Sequence, residues 1–242
     1  MIQFYLPDIA VDGTLPEEEA RHCVRVLRKQ VGDEIVAVDG KGHRYRCRLT
    51  VADPRHAEAE VVDCEDVAVH WLPRIEVAVA PTKNHDRMEW MVEKLTEMGI
   101  DRITPLRCEH SERKNINTGR LEKIAVSAMK QSLKATLPQI DVLTDFDDYI
   151  AEQFDGEKFI CYCDKDTPRV SILDRQYAGC PIRILIGPEG DFSPREAKFA
   201  LENGYKPVSL GESRLRTETA AIVAVADAHA LRRIKVAGGT IR

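Results

Sequence analysis

The sequence predicts an α/β protein in which a mostly parallel sheet is covered by helices and preceded by a small β-rich domain. Three observations predict it. From Ile75 onward, short apolar runs alternate with amphipathic helical stretches, as expected when helices cover both faces of a sheet. Residues 34–65 instead hold closely spaced strand-like runs with turn residues between them. The length of 242 residues, 43% hydrophobic and 31% charged, buries a real core and fits one large domain or two modest ones. The pattern changes around Val69–Pro73, so the expected domains are 1–72 and 73–242.

In chain order, residues 17–30 read as an amphipathic helix. Ala20, Cys23, Val24, Leu27 and Val31 form its apolar face, and Arg21, Arg25, Arg28 and Lys29 the other. Four cations on one side grip phosphates, or form a solvated face balanced by Glu17 to Glu19. EIVAVD, HRYRCRLT and AEAEVVDCE are the strands that follow, punctuated by Gly40, Gly42 and Asp53-Pro54. Period 2 sets Arg44, Arg46 and Arg48 on one face of the second strand, where Glu58 and Glu60 of the next can pair with them.

IEVAVA, DRITPL, FICYC, IRILI and PVSL are the strands of the second part. Between them, Met88, Met91, Val92, Leu95 and Met98 mark one helix, with Asp86 and Glu89 placed as its cap and Gly99 as its stop. Leu121, Ile124, Ala125, Ala128, Met129 and Ser132 mark another. Ser193-Pro194-Arg195-Glu196 is a capped helix start, ended by Gly204. Thr217 to about Ile234 is apolar nearly all round in its middle, which predicts burial in the domain or at a subunit contact.

Composition excludes several classes. No window approaches the roughly 18 apolar residues of a membrane span, and the N-terminus lacks a basic head followed by an apolar run, so a cytoplasmic protein is expected. Seven scattered cysteines do not form a disulfide framework. Cys161 and Cys163 read as alternate residues of a strand, and no metal is expected. A net charge of -5 confines any RNA site to a local patch. Neither GxGxxG after a strand nor GxxxxGK[ST] occurs.

Two segments join strand ends to helix starts through residues that serve packing poorly. In LIGPEGDFS, Gly187 and Gly190 flank Pro188-Glu189 and let the backbone approach a ligand; a plain turn has the same pattern. In LGESRLRTETA, Arg214 and Arg216 crowd the start of a helix, where cations are unfavourable unless they serve an anion. The alternative is that Arg216 pairs with Glu212 or Glu218. For RNA, Lys130, Gln131, Ser132, Lys134 and Arg113-Lys114 add basic and hydrogen-bonding groups near helix ends.

The chain resembles the RsmE-type ribosomal RNA uridine-N3 methyltransferases of the SPOUT superfamily. The resemblance rests on His22-Cys23-Val24-Arg25-Val26-Leu27-Arg28, Lys94 to Gly99, Pro105, Ser111, Gln131-Ser132 and Pro138. It continues in Ile186 to Gly190, Leu210-Gly211 and Leu215 to Ala220. Asp191 stands where the family usually has a second Gly, Lys130 where Glu is common and Lys134 where Arg is frequent.

The resemblance implies an N-terminal PUA-like β-barrel, a C-terminal domain with a trefoil knot, and a homodimer with each active site near the subunit contact. It implies S-adenosylmethionine as cofactor, held by Tyr162, Ile186, Gly187, Pro188, Glu189 and Gly190 and by Leu210, Gly211, Leu215, Arg216 and Thr217. Small-subunit 16S rRNA is the implied partner, with Arg21, Arg25, Arg28, Arg113, Gln131, Ser132 and Lys134 as contacts. Glu189 and Glu218 are the candidates to take the uridine N3 proton, with Arg216 steadying the developing charge.

Overall fold

The computed structural model of the chain describes residues 2–71, 73–113, 115–162, 170–174 and 179–238, so Lys114 and Cys163 lie outside the described residues. Two compact units are present. Residues 1–70 and 125–137 form one, and 71–124 and 138–242 the other.

The first unit holds β1 (Gln3–Tyr5), β2 (Glu34–Val38), β3 (His43–Val51) and β4 (Glu58–Asp66), in that order across one sheet. β1 runs parallel to β2 and the other pairs are antiparallel. In β3, alternation buries Tyr45, Cys47 and Leu49 and turns the arginines outward. Each arginine meets a carboxylate: Arg44 meets Glu65 (3.0 Å), Arg46 meets Glu34 (3.4 Å) and Arg48 meets Glu60 (3.5 Å). The expected cross-strand pairing thus forms through Glu60, whereas Glu58 turns to His56 (2.8 Å).

Residues 125–137 join this unit by specific bonds. Gln3 donates to the Lys134 carbonyl (2.7 Å), Lys130 pairs with Glu19 (2.5 Å), and Met129 and Ala135 pack with Val38.

The predicted helix over 17–30 is shorter and differently wound. α1 (Glu17–Arg21) continues as a π-helical turn over His22–Val26 and then stops. Arg28 adopts a left-handed backbone (φ +56°), and the Lys29 amide closes the end on the Cys23 carbonyl (3.1 Å). Ala20, Cys23, Val24 and Leu27 still face the core as expected, whereas Val31, beyond the end of the helix, is 64% exposed.

The second unit contains β5 (Ile75–Val79), α2 (His85–Met98), β6 (Arg102–Arg107), the start of α3 (Thr118–Gln131), β7 (Gln139–Ile140), β8 (Thr144–Asp145) and α4 (Phe146–Ala151). β9 (Glu157–Cys161), β10 (Ile182–Ile186), α5 (Pro194–Glu202), β11 (Lys206–Val208) and α6 (Thr217–Gly238) complete it. The sheet order is β11-β9-β10-β5-β6-β7, with β8 on β6, and every pair is parallel. β1, β7, β8 and α4 have no counterpart in the sequence reading, because two or three extended residues, or fewer than two helical turns, leave no periodicity.

Local chemistry explains the helix ends. α5 starts with the expected capping box between Ser193 and Glu196. α2 is capped by Asn84, whose side chain accepts the Asp86 amide (2.8 Å), and not by Asp86 or Glu89. Asn84 has the extended backbone a cap requires, while Glu89 is spent on Arg120. Gly99 ends α2 at φ +96°, and a Cβ there would lie 2.5 Å from the Trp71 ring.

α6 buries Ala221, Ala224, Val225, Ala228 and Leu231 and leaves Ala220, Ile222, Val223 and Ala226 half-buried. Beneath the amino ends of the strands, Arg183 (1% exposed) pairs with Glu76 (0%) at 2.9 Å, directly across β10 and β5. Its guanidinium also lies over the Tyr149 and Phe154 rings.

Candidate functional site

Three neighbouring strands end in line. Cys161 of β9 is in register with Ile186 of β10 on one side and with Val208 of β11 on the other. Adjacent strands lie roughly 4.8 Å apart, so the loops beginning at Tyr162, Gly187 and Ser209 start within about 10 Å of one another. The start of α6 closes on the same place: the Thr217 hydroxyl donates to the Gly187 carbonyl (3.2 Å) in a buried bond. The two segments singled out from the sequence are therefore brought together at the carboxyl edge of a parallel sheet, where open α/β folds hold ligands.

The loops are shaped for close approach. Gly187 and Pro188 are buried, and Glu189 and Gly190 are exposed. A Cβ on Gly187 would press on Phe192 (3.1 Å), and one on Gly190 would sit 3.2 Å from His110. Gly211 has φ +111° with open space where a side chain would stand. Tyr162, Leu210 and Leu215 are half-buried apolar groups on the same loops. Bare backbone beside half-exposed apolar side chains fits an adenosyl group, whose ring offers faces to pack and edges to hydrogen-bond.

The proposed charged residues have distinct settings. Arg216 is exposed and makes no ion pair among the described residues, so neither Glu212 nor Glu218 occupies it. Glu218 has a side chain 7% exposed and lies 3.6 Å from Arg87 of α2. Glu189 accepts the Lys83 amide through one oxygen (3.2 Å).

That bond ties in a second feature. The loop after β5 supplies Lys83, and the loop after β6 supplies His110, whose ring meets the Gly190 and Asp191 carbonyls (3.2 and 3.0 Å). Beyond His110, Arg113 lies against the His85 ring and bonds the Lys83 carbonyl. These loops line an open, shallow cleft of about 820 Å³ bordered by Lys83, His85, Glu112, Arg113, Asn115, Ile116, Asn117 and Thr118. Of these, sequence reasoning found only Arg113. The polar runs after β5 and β6, Lys83-Asn84-His85 and Asn115 to Thr118, are the signal it passed over.

In the first unit, Arg21 pairs with Glu17 (3.0 Å), whereas Arg25 and Arg28 are exposed and without an ion pair among the described residues. Gln131 is exposed, the Ser132 hydroxyl donates to Ala128 of its own helix (2.7 Å), and the Lys134 carbonyl receives Gln3. No described helix is long and apolar enough to cross a membrane.

A family model for an RNA methyltransferase domain matches residues 70–229, and one for an RNA methyltransferase PUA domain matches 15–62. The sheet with its converging loops and the smaller N-terminal sheet are thus those of an RNA methyltransferase carrying a PUA domain. Within that class, the chain belongs to the ribosomal RNA small subunit methyltransferase E family. It is 32% identical over 217 residues to the Buchnera aphidicola protein of that name, covering 87% of this chain and 85% of the other. A probable rRNA-methyltransferase from Porphyromonas gingivalis superposes with a TM-score of 0.92 at 45% identity, over 97% of this chain and 99% of that one. The ribosomal RNA small subunit methyltransferase E of Neisseria gonorrhoeae, bound to S-adenosyl methionine, gives 0.83 at 29% identity over 96% and 98%.

Proposed function

We propose that this protein transfers a methyl group from S-adenosylmethionine to N3 of a uridine in bacterial 16S rRNA. The observation that supports the reading is the buried Thr217–Gly187 bond at the aligned ends of β9, β10 and β11, which brings the start of α6 to the loop after β10. The names of the relatives and the cofactor bound by the Neisseria protein support the substrate and the methyl donor.

The cofactor supplies a methyl carbon made electrophilic by its sulfonium. Ile186 to Gly190, Leu210, Gly211, Leu215 to Thr217 and Tyr162 hold it, and catalysis is then largely the positioning of uridine N3 in line with that carbon. The N3 proton must leave as the bond forms. Glu189, exposed and engaged through only one oxygen, suits this role better than Glu218, which lies buried beside Arg87. Arg216, exposed and without an ion pair among the described residues, steadies the negative charge that develops on the uracil oxygen.

Residues 1–72, to which 125–137 return, form a PUA-like RNA-binding barrel, and the remainder is the methyltransferase domain, whose last strands and helix form a trefoil knot. The enzyme acts in the cytoplasm as a homodimer, with Arg21, Arg25, Arg28, Arg113, Gln131, Ser132 and Lys134 on the RNA. The test is incorporation of labelled methyl from S-adenosylmethionine into small-subunit RNA from cells lacking this modification. Wild type should label it, and Gly187→Trp should not. RNA binding without any transfer by wild type would leave a non-catalytic RNA-binding protein.

A further inference from the structure

The cleft between the loops after β5 and β6 is separate from the residues assigned to the cofactor, and its chemistry is specific. We propose that it holds an unstacked nucleotide next to the methylated one, its phosphate on Lys83 and Arg113 and its base against His85 and the side-chain amides of Asn115 and Asn117. This rests on the RNA-methyltransferase reading and extends it to a subsite.

Four observations carry it. The first is charge: among the lining residues the cations Lys83 and Arg113 outnumber the one carboxylate, Glu112, which pairs with Lys83 at 2.6 Å. Glu189 also acts on Lys83 from outside the lining, so the cation left without an ion pair among the described residues is Arg113. A local excess of this kind suits a polyanion.

The second is hydrogen-bonding capacity. The Asn115 side chain is exposed and makes no bond among the described residues. Among the described residues Asn117 uses only its carbonyl oxygen, on the Arg120 amide (3.1 Å), which leaves its amino group to donate. Amides offering both donor and acceptor match the edge of a base, and the exposed His85 ring, met at its nitrogens by Arg113, offers a flat face to stack on.

The third is position. Lys83 bonds Glu189, and His110, three residues before Arg113, bonds the turn at Gly190 and Asp191. Both walls are thereby fastened to the loop assigned to the cofactor, so a chain passing the methyl group runs along the cleft. The fourth is size: about 820 Å³ lies within the range of roughly 300–1,000 Å³ typical of ligand sites.

Steady-state methylation by the full chain, with calorimetric binding of S-adenosylmethionine in parallel, tests the proposal. Lys83→Ala removes a charge, and Asn115→Trp fills the cleft. Both side chains are exposed, so the thermal midpoint should hold. Each variant should raise the KM for RNA about tenfold, as expected when a stacked and hydrogen-bonded base is lost. Cofactor affinity should not change. Lys83→Ala should also flatten the dependence of log KM on log salt by about 0.7–0.9. An unchanged RNA KM in both variants, a fall in kcat alone, or a parallel loss of cofactor affinity would overturn it. If wild type transfers no methyl group, the function fails. Filter binding of the same RNA to wild type and Asn115→Trp still decides the cleft, with equal affinity rejecting it.

Discussion

At the scale of single residues, the most exacting environment is that of Arg183 and Glu76, two charges taken wholly out of water and matched across neighbouring strands. Removing Glu76 leaves the buried Arg183 with only the more distant, part-exposed Glu152 carboxylate (3.4 Å), so Glu76→Gln should cost about 3 kcal/mol in urea unfolding. Unchanged stability would show that the pair contributes nothing. Thr217 makes a smaller contribution in a more telling place. Thr217→Val deletes the bond to Gly187 and should lower stability by about 1–2 kcal/mol while weakening S-adenosylmethionine binding in calorimetry. Asp39 links stability to pH. Burial acts to raise its pKa, but the Lys41 and His43 amides and the His43 ring outweigh that and hold it below its ordinary value. Its contribution is thus full above the ordinary carboxylate value of about 3.9 and lost as pH falls through the lower folded value. Urea midpoints measured downward from pH 5 should therefore fall less steeply for Asp39→Asn than for wild type. The sequence disclosed Arg216 and Glu218 as residues out of place on a packing surface. It did not disclose that Arg87, on another helix, takes Glu218, because such partners are set by the tertiary fold.

At the scale of elements, agreement was closest where periodicity was long or capping chemistry explicit. β2, β3, β5, β6 and β9 to β11, together with α2, α3, α5 and α6, follow the apolar spacing, β4 forms where read although most of it is exposed, and the Ser193 box is present as read. Ser193→Ala should cost about 1 kcal/mol. Glu196 also accepts the Glu109 amide (2.9 Å), so Glu196→Ala should cost more in the same unfolding assay. The π-helical turn at His22–Val26 was unreadable, since an extra residue per turn changes no residue type. It separates Arg28, which leaves the helix, from the face expected to carry all the cations. The Asn84 cap was missed for a similar reason: Asn84 and Asp86 are both good caps by type, and only backbone conformation chooses between them.

At the scale of the molecule, the parallel sheet and its converging loops followed from the alternation of strands and helices, but the return of residues 125–137 to the N-terminal unit did not. A helical stripe records that one face is buried and not what buries it. The cleft after β5 and β6 stayed hidden because its polar residues are ordinary loop residues until two loops face each other. A chain of net charge -5 must bind RNA through few cations. Arg25→Ala and Arg28→Ala should each reduce the salt slope of RNA binding by about 0.7–0.9 and weaken all sequences alike. The most direct test of the whole account is mass analysis of nucleosides from small-subunit RNA, taken from cells lacking the modification and incubated with this protein and S-adenosylmethionine. The account predicts 3-methyluridine with wild type and none with Gly187→Trp; methyl groups found only on ribose or on another base would contradict it.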